Sequence, residues 1–190
     1  MSLRFVRTEI PGVIIVEPQV HRDARGFFLE TFHAEKYRAG GIDAVFVQDN
    51  HSHSARDTLR GLHAQHPRAQ GKLVRAIAGE VWDVAVDVRR RSPTFGRHVG
   101  TVLSAANFRQ LWVPPGLLHG FVVTSDTAEI EYKCSELYRP EEELVVAWND
   151  PELAIPWPVA VPVLSPRDAA APPLAQVRDR LLDYSSSSTS

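Results

Sequence analysis

The feature that most constrains this chain is a succession of short, β-rich runs that turn signals separate at close spacing. The prolines lie at the turns between runs, as strand pairing requires. Almost no helix-like sequence lies between the runs, so an antiparallel sandwich or barrel is favoured over a sheet with crossover helices. The predicted strands are residues 13–17, 27–32, 45–50, 58–63, 73–78, 81–88, 99–104, 110–113, 120–124, 128–134 and 144–148.

The run 81–88 shows the strand pattern most clearly, because apolar and acidic residues alternate along it. This period of two puts Asp83 and Asp87 on one face. Helices are predicted only at residues 34–38, before Gly40 and Gly41, and near residues 174–182. We find no internal repeat and no linker, so we expect one domain over residues 1–184. The polar stretch 185–190 predicts a disordered tail.

Charge, cysteine content and hydropathy narrow the class of protein. The net charge is −2 with both signs interspersed, so no basic field points to nucleic acid or to an acidic membrane. Cys134 is the sole cysteine, which rules out an internal disulfide and is compatible with a reducing compartment. Neither a signal peptide nor a membrane span is predicted. We therefore expect a soluble, cytoplasmic protein.

Two motifs resemble those of the cupin jelly roll. The first is Pro114-Pro115-Gly116-Leu117-Leu118-His119, which resembles the second cupin motif, where a turn delivers a histidine into the mouth of a small barrel. The second is the series Gly61, His63, Lys72 and Gly79, which resembles the first cupin motif, with Lys72 where metal-binding members carry a glutamate. An ammonium is a poor neighbour for a divalent ion. The fold expected is an all-β cupin jelly roll with a few short helices and no metal.

Four side chains have the chemistry needed to move a proton beside a ketone. His63 ends a predicted strand, and an imidazole suits proton abstraction when a carboxylate fixes its tautomer. Tyr132 lies on an alternating strand and offers a phenol that donates a proton. Lys72 begins a strand and, if it points inward, would stabilise an enolate oxygen. Each also has an ordinary structural interpretation, and Asp168 taken alone reads as a surface residue after a turn.

Other residues suggest contacts to a nucleotide. Arg25 and Arg60 carry guanidinium groups suited to bidentate phosphate binding. The cluster 48–50, Gln-Asp-Asn, mixes donors and acceptors, although it also fits a turn after a strand. Tyr138 could stack on a base or pack at a strand end.

The chain resembles the dTDP-4-dehydrorhamnose 3,5-epimerase family over residues 12–168. The resemblance lies in several long segments that occur in the family's order. They are residues 23–32 (DARGFFLETF), 48–52 (QDNHS), 59–63 (LRGLH), 70–75 (QGKLVR), 79–87 (GEVWDVAVD), 92–96 (SPTFG) and 148–151 (WNDP). The resemblance implies epimerisation of a dTDP-4-keto-6-deoxy sugar at C3 and C5, which converts dTDP-4-dehydro-6-deoxyglucose to dTDP-4-dehydrorhamnose.

The same resemblance implies a role for each matching residue. His63 corresponds to the general base, Asp168 to its orienting carboxylate and Tyr132 to the proton donor. Lys72 and His119 correspond to groups that hold the sugar and its enolate oxygen. The substrate contacts implied are Arg25 and Arg60 at phosphate, Tyr138 at the stacking position, and Glu30, Gln48, Asp49, Asn50, Glu143 and Arg167 elsewhere on the nucleotide sugar. The family implies no metal or cofactor, and a homodimer that exchanges strands.

Departures from the family pattern leave alternatives open. His21 and Ala64 replace aromatic residues, Arg167 replaces a lysine, and Leu117-Leu118 replaces Phe-Ala. A single-carbon epimerase of an antibiotic deoxysugar pathway would share the proton-transfer residues. A metal-dependent cupin isomerase or oxygenase using His63, His66 and His119 is a second alternative. A sugar-binding cupin without activity is a third, and the presence of both a base and an acid disfavours it.

Overall fold

A computed structural model describes residues 2–184 of the chain. The predicted disordered tail, residues 185–190, lies outside the described residues. No helix in the part described is both long and apolar enough to cross a membrane.

The described residues form thirteen strands, three short α-helices and two turns of 3-10 helix. The strands are β1 (Arg4–Arg7), β2 (Ile14–Glu17), β3 (Val20–Asp23), β4 (Gly26–Leu29), β5 (Gln48–Ala55), β6 (Leu59–Gln65), β7 (Lys72–Ala78), β8 (Glu80–Asp87), β9 (His98–Ser104), β10 (Gln110–Val113), β11 (Leu117–Val123), β12 (Thr127–Cys134) and β13 (Glu143–Val145). The helices are α1 (Ala34–Ala39), α2 (Pro166–Ala169) and α3 (Leu174–Val177), and the 3-10 turns are Pro140–Glu142 and Arg178–Arg180.

The strands form two antiparallel sheets and a separate hairpin. The six-stranded sheet has the order β1-β2-β10-β7-β12-β5, and the five-stranded sheet has the order β13-β6-β11-β8-β9. Strands β3 and β4 pair only with each other. This confirms the predicted all-β sandwich, in which the non-consecutive strand order reflects the long connections of a jelly roll.

Alternation along the strands divides the core into layers. On β8, Val81 and Ala85 pack between the two sheets with Val74 and Ile130 of the six-stranded sheet. Val84 and Val86 of β8 face the other way. They pack against Leu174, Val177 and Leu181 of the C-terminal segment. On the six-stranded sheet, α1 covers the outer face of β2, β10 and the start of β7, and its Tyr37 is fully enclosed. The outer side of β5, at the edge of the same sheet, is exposed.

The structure differs from the sequence prediction mainly at the periphery. Strands β1 and β3 were not predicted, since Arg-Phe-Val-Arg and Val-His-Arg-Asp carry too few apolar residues to signal a strand. The strand predicted at 45–50 is instead β5, Gln48–Ala55. The C-terminal helix predicted near 174–182 is a short α3 followed by the 3-10 turn Arg178–Arg180. Helix α2 was missed because a single turn has no periodicity to detect.

Candidate active site

A cavity of about 620 Å³ is lined by most of the residues predicted for the site. This volume lies in the range of small-molecule sites. Both sheets contribute to its lining, and so does the segment that leads into α2. The main polar lining residues are Arg60, His63, His119 and Glu143 from the five-stranded sheet, Gln48, Asn50, Ser52, Lys72 and Tyr132 from the six-stranded sheet, and Tyr138, Ser165, Arg167 and Asp168 from the segments outside the two sheets.

His63 and Asp168 form a hydrogen-bonded pair at one side of the cavity. The Nε2 atom of His63, on β6, lies 2.7 Å from Oδ1 of Asp168. Burial alone would raise the pKa of Asp168, but hydrogen bonds from His63, Ser165 and the Gly61 backbone, with the charge of His63, lower it below its ordinary value. An ionised carboxylate only accepts, so Nε2 carries the proton. The second nitrogen, Nδ1, is then the one available to the cavity as a base.

Helix α2 exists as one turn that presents Asp168 to His63. Ser165 caps this turn, because its Oγ accepts a 3.0 Å hydrogen bond from the backbone N–H of Asp168. Pro166 occupies the first helical position, where its missing N–H has no cost. A parallel bridge between Thr58 and Val163 ties the preceding segment to the start of β6. The Ser-Pro-x-Asp spacing is a capping signal, so Ser165 could have been found from sequence.

A second histidine–carboxylate pair lies beside the first. Strand pairing places His119 of β11 directly opposite His63 of β6. The Nε2 atom of His119 is 3.0 Å from both carboxylate oxygens of Asp83, which has no exposed surface. Burial raises the pKa of Asp83, while attraction to His119 acts in the opposite direction. Sequence reasoning placed Asp83 on an alternating face but missed this contact, which depends on β8 pairing with β11.

Lys72 lines the cavity from the six-stranded sheet, and the residue is buried. Only 9% of the residue is exposed. Burial lowers the pKa of Lys72, whereas the nearby Cys134 and Glu143 raise it. Among residues 2–184 no carboxylate forms an ion pair with its amine. A buried cation in this state is stabilised by any ligand oxygen that carries negative charge.

Tyr132 also lines the cavity and belongs to the six-stranded sheet, whereas His63 belongs to the five-stranded sheet. It lies on β12 between Val74 of β7 and Asn50 of β5. Burial raises the pKa of Tyr132, and the nearby Arg60 opposes that rise only in part. The phenol is therefore protonated at neutral pH. No residue in the described range 2–184 accepts its proton in a hydrogen bond, so it is available to a ligand.

Strand β5 supplies a row of polar side chains to the cavity instead of core residues. Gln48, Asn50 and Ser52 point inward at period two and line the cavity. Ser52 was not predicted as a site residue, and its buried hydroxyl has no partner in the described part of the chain. Arg60 lies nearby, with its Nε donating a 3.0 Å hydrogen bond to Oγ of Ser54. This row can bind an extended polar ligand.

The mouth of the cavity is bordered by Tyr138, Glu143 and Arg167. The Tyr138 hydroxyl donates a 2.8 Å hydrogen bond to Oε2 of Glu143, and the Arg167 guanidinium forms an ion pair with the same carboxylate. Almost half of the Tyr138 surface is exposed, so its ring is accessible for stacking on a planar group.

Three of the predicted site residues lie away from the cavity of their own chain. Arg25 is at the turn of the β3–β4 hairpin, 91% exposed, and pairs with Asp23 at 2.6 Å. Glu30 pairs with Lys36 at 2.8 Å. Asp49 points to the outer face of β5, where it accepts from Lys133 at 3.1 Å.

Of the three histidines considered as metal ligands, His63 and His119 line the cavity and His66 does not. His66 is absent from the cavity lining, and its backbone N–H binds the carbonyl of Glu142. Within residues 2–184, no three or more His, Cys, Asp or Glu side chains are grouped so that they could hold a metal ion. The metal-dependent alternative therefore gains no support from the arrangement of these side chains.

Comparison with known proteins gives a consistent family. The family model for dTDP-4-dehydrorhamnose 3,5-epimerase matches residues 7–176. A dTDP-4-dehydrorhamnose 3,5-epimerase from Pseudomonas aeruginosa is 55% identical over 168 residues, which cover 87% of this chain and 93% of that protein. One from Neisseria gonorrhoeae is 49% identical over 181 residues, or 95% of this chain. The chain spans only about half, 55%, of the length of the Neisseria protein.

Structural similarity agrees with the sequence comparison. The crystal structure of a dTDP-6-deoxy-D-glucose-3,5-epimerase from Legionella pneumophila, in complex with dTDP-4-keto-L-rhamnose, superposes with a TM-score of 0.94 and 48% sequence identity. The match covers 97% of this chain and 100% of that one. The family model, these identities and this superposition together place the chain in the dTDP-4-dehydrorhamnose 3,5-epimerase family of isomerases.

Proposed function

We propose that the chain epimerises a dTDP-4-keto-6-deoxy sugar at C3 and C5, and that His63 and Tyr132 transfer the protons. The observation that carries this proposal is the placement of the two side chains. His63 belongs to the five-stranded sheet and Tyr132 to the six-stranded sheet, and both line one cavity. A planar intermediate held between them would meet a base on one face and an acid on the other, which is what inversion requires.

The chemistry follows from the ketone at C4, which acidifies the C–H bonds on both sides. Nδ1 of His63 takes the proton, and the electrons of the broken C–H bond move into an enolate. Lys72 and His119 stabilise the enolate oxygen. Tyr132 then donates its proton to the opposite face, and a new C–H bond forms there. Solvent restores the proton of Tyr132 and removes the one from His63 before the second carbon reacts.

The nucleotide would occupy the polar row and the mouth. Tyr138 offers its exposed ring to the base, with Gln48 and Asn50 beside it on β5. Arg60 offers a guanidinium to the diphosphate. Glu143 and Arg167 would exchange part of their mutual contact for contacts with the ligand. These assignments follow the resemblance and agree with the lining of the cavity.

The proposed reaction is tested by proton NMR of dTDP-4-keto-6-deoxyglucose incubated with the protein in heavy water. We expect deuterium to enter at C3 and at C5, with inversion at both carbons. Incorporation at only one carbon would identify a single-carbon epimerase instead. Binding without any incorporation would refute catalysis and leave a sugar-binding protein. A sample incubated without protein measures the spontaneous exchange beside the ketone.

We further propose that the enzyme is a homodimer in which each chain completes the site of the other. The β3–β4 hairpin pairs with neither sheet, and Phe27 and Phe28 on it are 56% and 70% exposed. Among the described residues, no strand pairs with the outer edge of β5, which borders the cavity. An unpaired strand edge can pair with a strand of another chain, and an exposed apolar patch often marks an interaction site. A partner's hairpin in that position would bring Arg25 to the diphosphate.

Mixed dimers test this exchange directly. We expect Arg25→Ala and His63→Ala to be inactive as separate homodimers. In a mixed dimer, one site would combine an intact His63 with an intact Arg25 from the other chain, and the second site would carry both changes. Random assortment should therefore restore about a quarter of the wild-type turnover. No recovery in mixed dimers confirmed by native mass spectrometry would show that Arg25 does not act across the dimer.

The proposed enzyme comprises a single domain, residues 1–184, and acts in the cytoplasm. The cavity residues span Gln48 to Asp168, which is most of that length. The lone cysteine agrees with a reducing compartment.

A further inference from the structure

Asp83 is an enclosed carboxylate that the proton transfer between His63 and Tyr132 does not use. Its one hydrogen-bond partner among residues 2–184 is Nε2 of His119, at 3.0 Å from both oxygens. Asp87, on the same strand and equally enclosed, accepts from Arg89, Ser92 and Thr94 at 2.8, 2.6 and 2.6 Å. The two carboxylates thus differ in their hydrogen bonds. Asp87 accepts from three side chains within the fold, whereas Asp83 contacts a single side chain, and that side chain lines the cavity.

The charge of the Asp83–His119 pair follows from its enclosure. A net negative charge without contact with water is costly, and a single partner compensates it poorly. The pair is neutral when it holds two protons, one between Nε2 and the carboxylate and one on Nδ1. Burial, which raises the pKa of Asp83, acts in the same direction. Nδ1 has no hydrogen-bond partner in the part of the chain described, and it is not enclosed, so this nitrogen is accessible from the cavity.

We propose that Asp83 is a positioning residue that holds His119 with its Nδ1–H directed into the cavity, where it and Lys72 donate to one enolate oxygen. This inference rests on the proposed epimerisation. Its physical advantage is that a neutral pair adds a second donor without placing a second net positive charge near the buried Lys72 ammonium. The oxyanion would then receive two hydrogen bonds from opposite sheets.

The kinetic test compares Asp83→Asn with Asp87→Asn. Asparagine keeps the shape of Asp83 but cannot balance a second proton on His119, so we expect kcat to fall roughly 10- to 100-fold with KM little changed. Asp87→Asn removes an equally buried carboxylate from the same strand and should lower the melting temperature while kcat is retained. In His119→Phe, adding Asp83→Asn should cause no further loss, because Asp83 acts through His119. Wild-type kcat in Asp83→Asn, or fully multiplicative losses in the double variant, would overturn the proposal.

A measurement on the unmodified enzyme does not depend on whether a variant folds. In ¹⁵N-histidine-labelled protein with dTDP bound, the Nδ1 resonance of His119, assigned by its absence from His119→Phe, should have the shift of a protonated nitrogen. An unprotonated Nδ1 would overturn the proposal. If the wild-type protein fails to epimerise, the proposed function fails. If it epimerises and Asp83→Asn matches it, only the role of Asp83 fails.

Discussion

Replacing His63 with alanine should abolish epimerisation, with a loss of roughly 10²- to 10⁴-fold in kcat. The reason is that Nδ1 of His63 is the base that the Asp168 contact leaves available on the five-stranded side of the cavity. The variant should still bind dTDP with near wild-type affinity, since the polar row on β5 and the residues at the mouth are untouched. NMR assays of the keto sugar measure kcat, and calorimetry with dTDP measures the binding affinity.

His98→Ala is a suitable control for this experiment. His98 begins β9 and does not line the cavity, so its removal should leave kcat unchanged. The decisive measurement is solvent exchange in heavy water. If His63→Ala exchanges the protons at C3 or C5 at the wild-type rate, His63 is not the base.

Replacing Tyr132 with phenylalanine should separate exchange from inversion. The base on the opposite sheet remains, so His63 can still remove a proton and return deuterium to the same face. The phenol that protonates the other face is absent, and inversion should fall by roughly 10²- to 10⁴-fold. In heavy water the substrate should therefore gain deuterium while its configuration is retained, which NMR coupling constants detect.

Tyr37→Phe provides the matched control. Tyr37 is also buried, but its hydroxyl contacts Thr31 and Gln110 beneath α1 and not the cavity. That variant should lose some stability through its broken hydrogen bonds and still invert at the wild-type rate. Inversion by Tyr132→Phe at the wild-type rate would assign the acid to another group.

The sequence predicted the sandwich well because its central strands follow simple rules. The alternation along β8 places Val81 and Ala85 in one buried layer and their neighbours Val84 and Val86 in the other. Strand β5 was placed too early because its inward residues Gln48, Asn50 and Ser52 are polar. They face a cavity and not a core, so the hydrophobic pattern fails where the site begins.

The candidate site could be predicted from sequence only in part. His63 and His119 were found from motif spacing, and the strand pairing that sets them side by side is a long-range contact that spacing does not encode. Asp168 lies 105 residues from His63, so its part in the pair came from family resemblance. Asp83 was missed because its contact depends on the pairing of β8 with β11. Ser165 was missed although the Ser-Pro-x-Asp spacing before α2 is a capping signal.

The one-turn helix α2 limits how this enzyme could be redesigned. Its adjacent residues Arg167 and Asp168 reach in two directions, to Glu143 at the mouth and to His63 within. An engineer who reshapes that turn to admit a different sugar nucleotide would displace the carboxylate that fixes the imidazole. Selection for new ligands should accordingly accumulate changes on β5, because its polar row can vary without altering the contacts of His63 or His119.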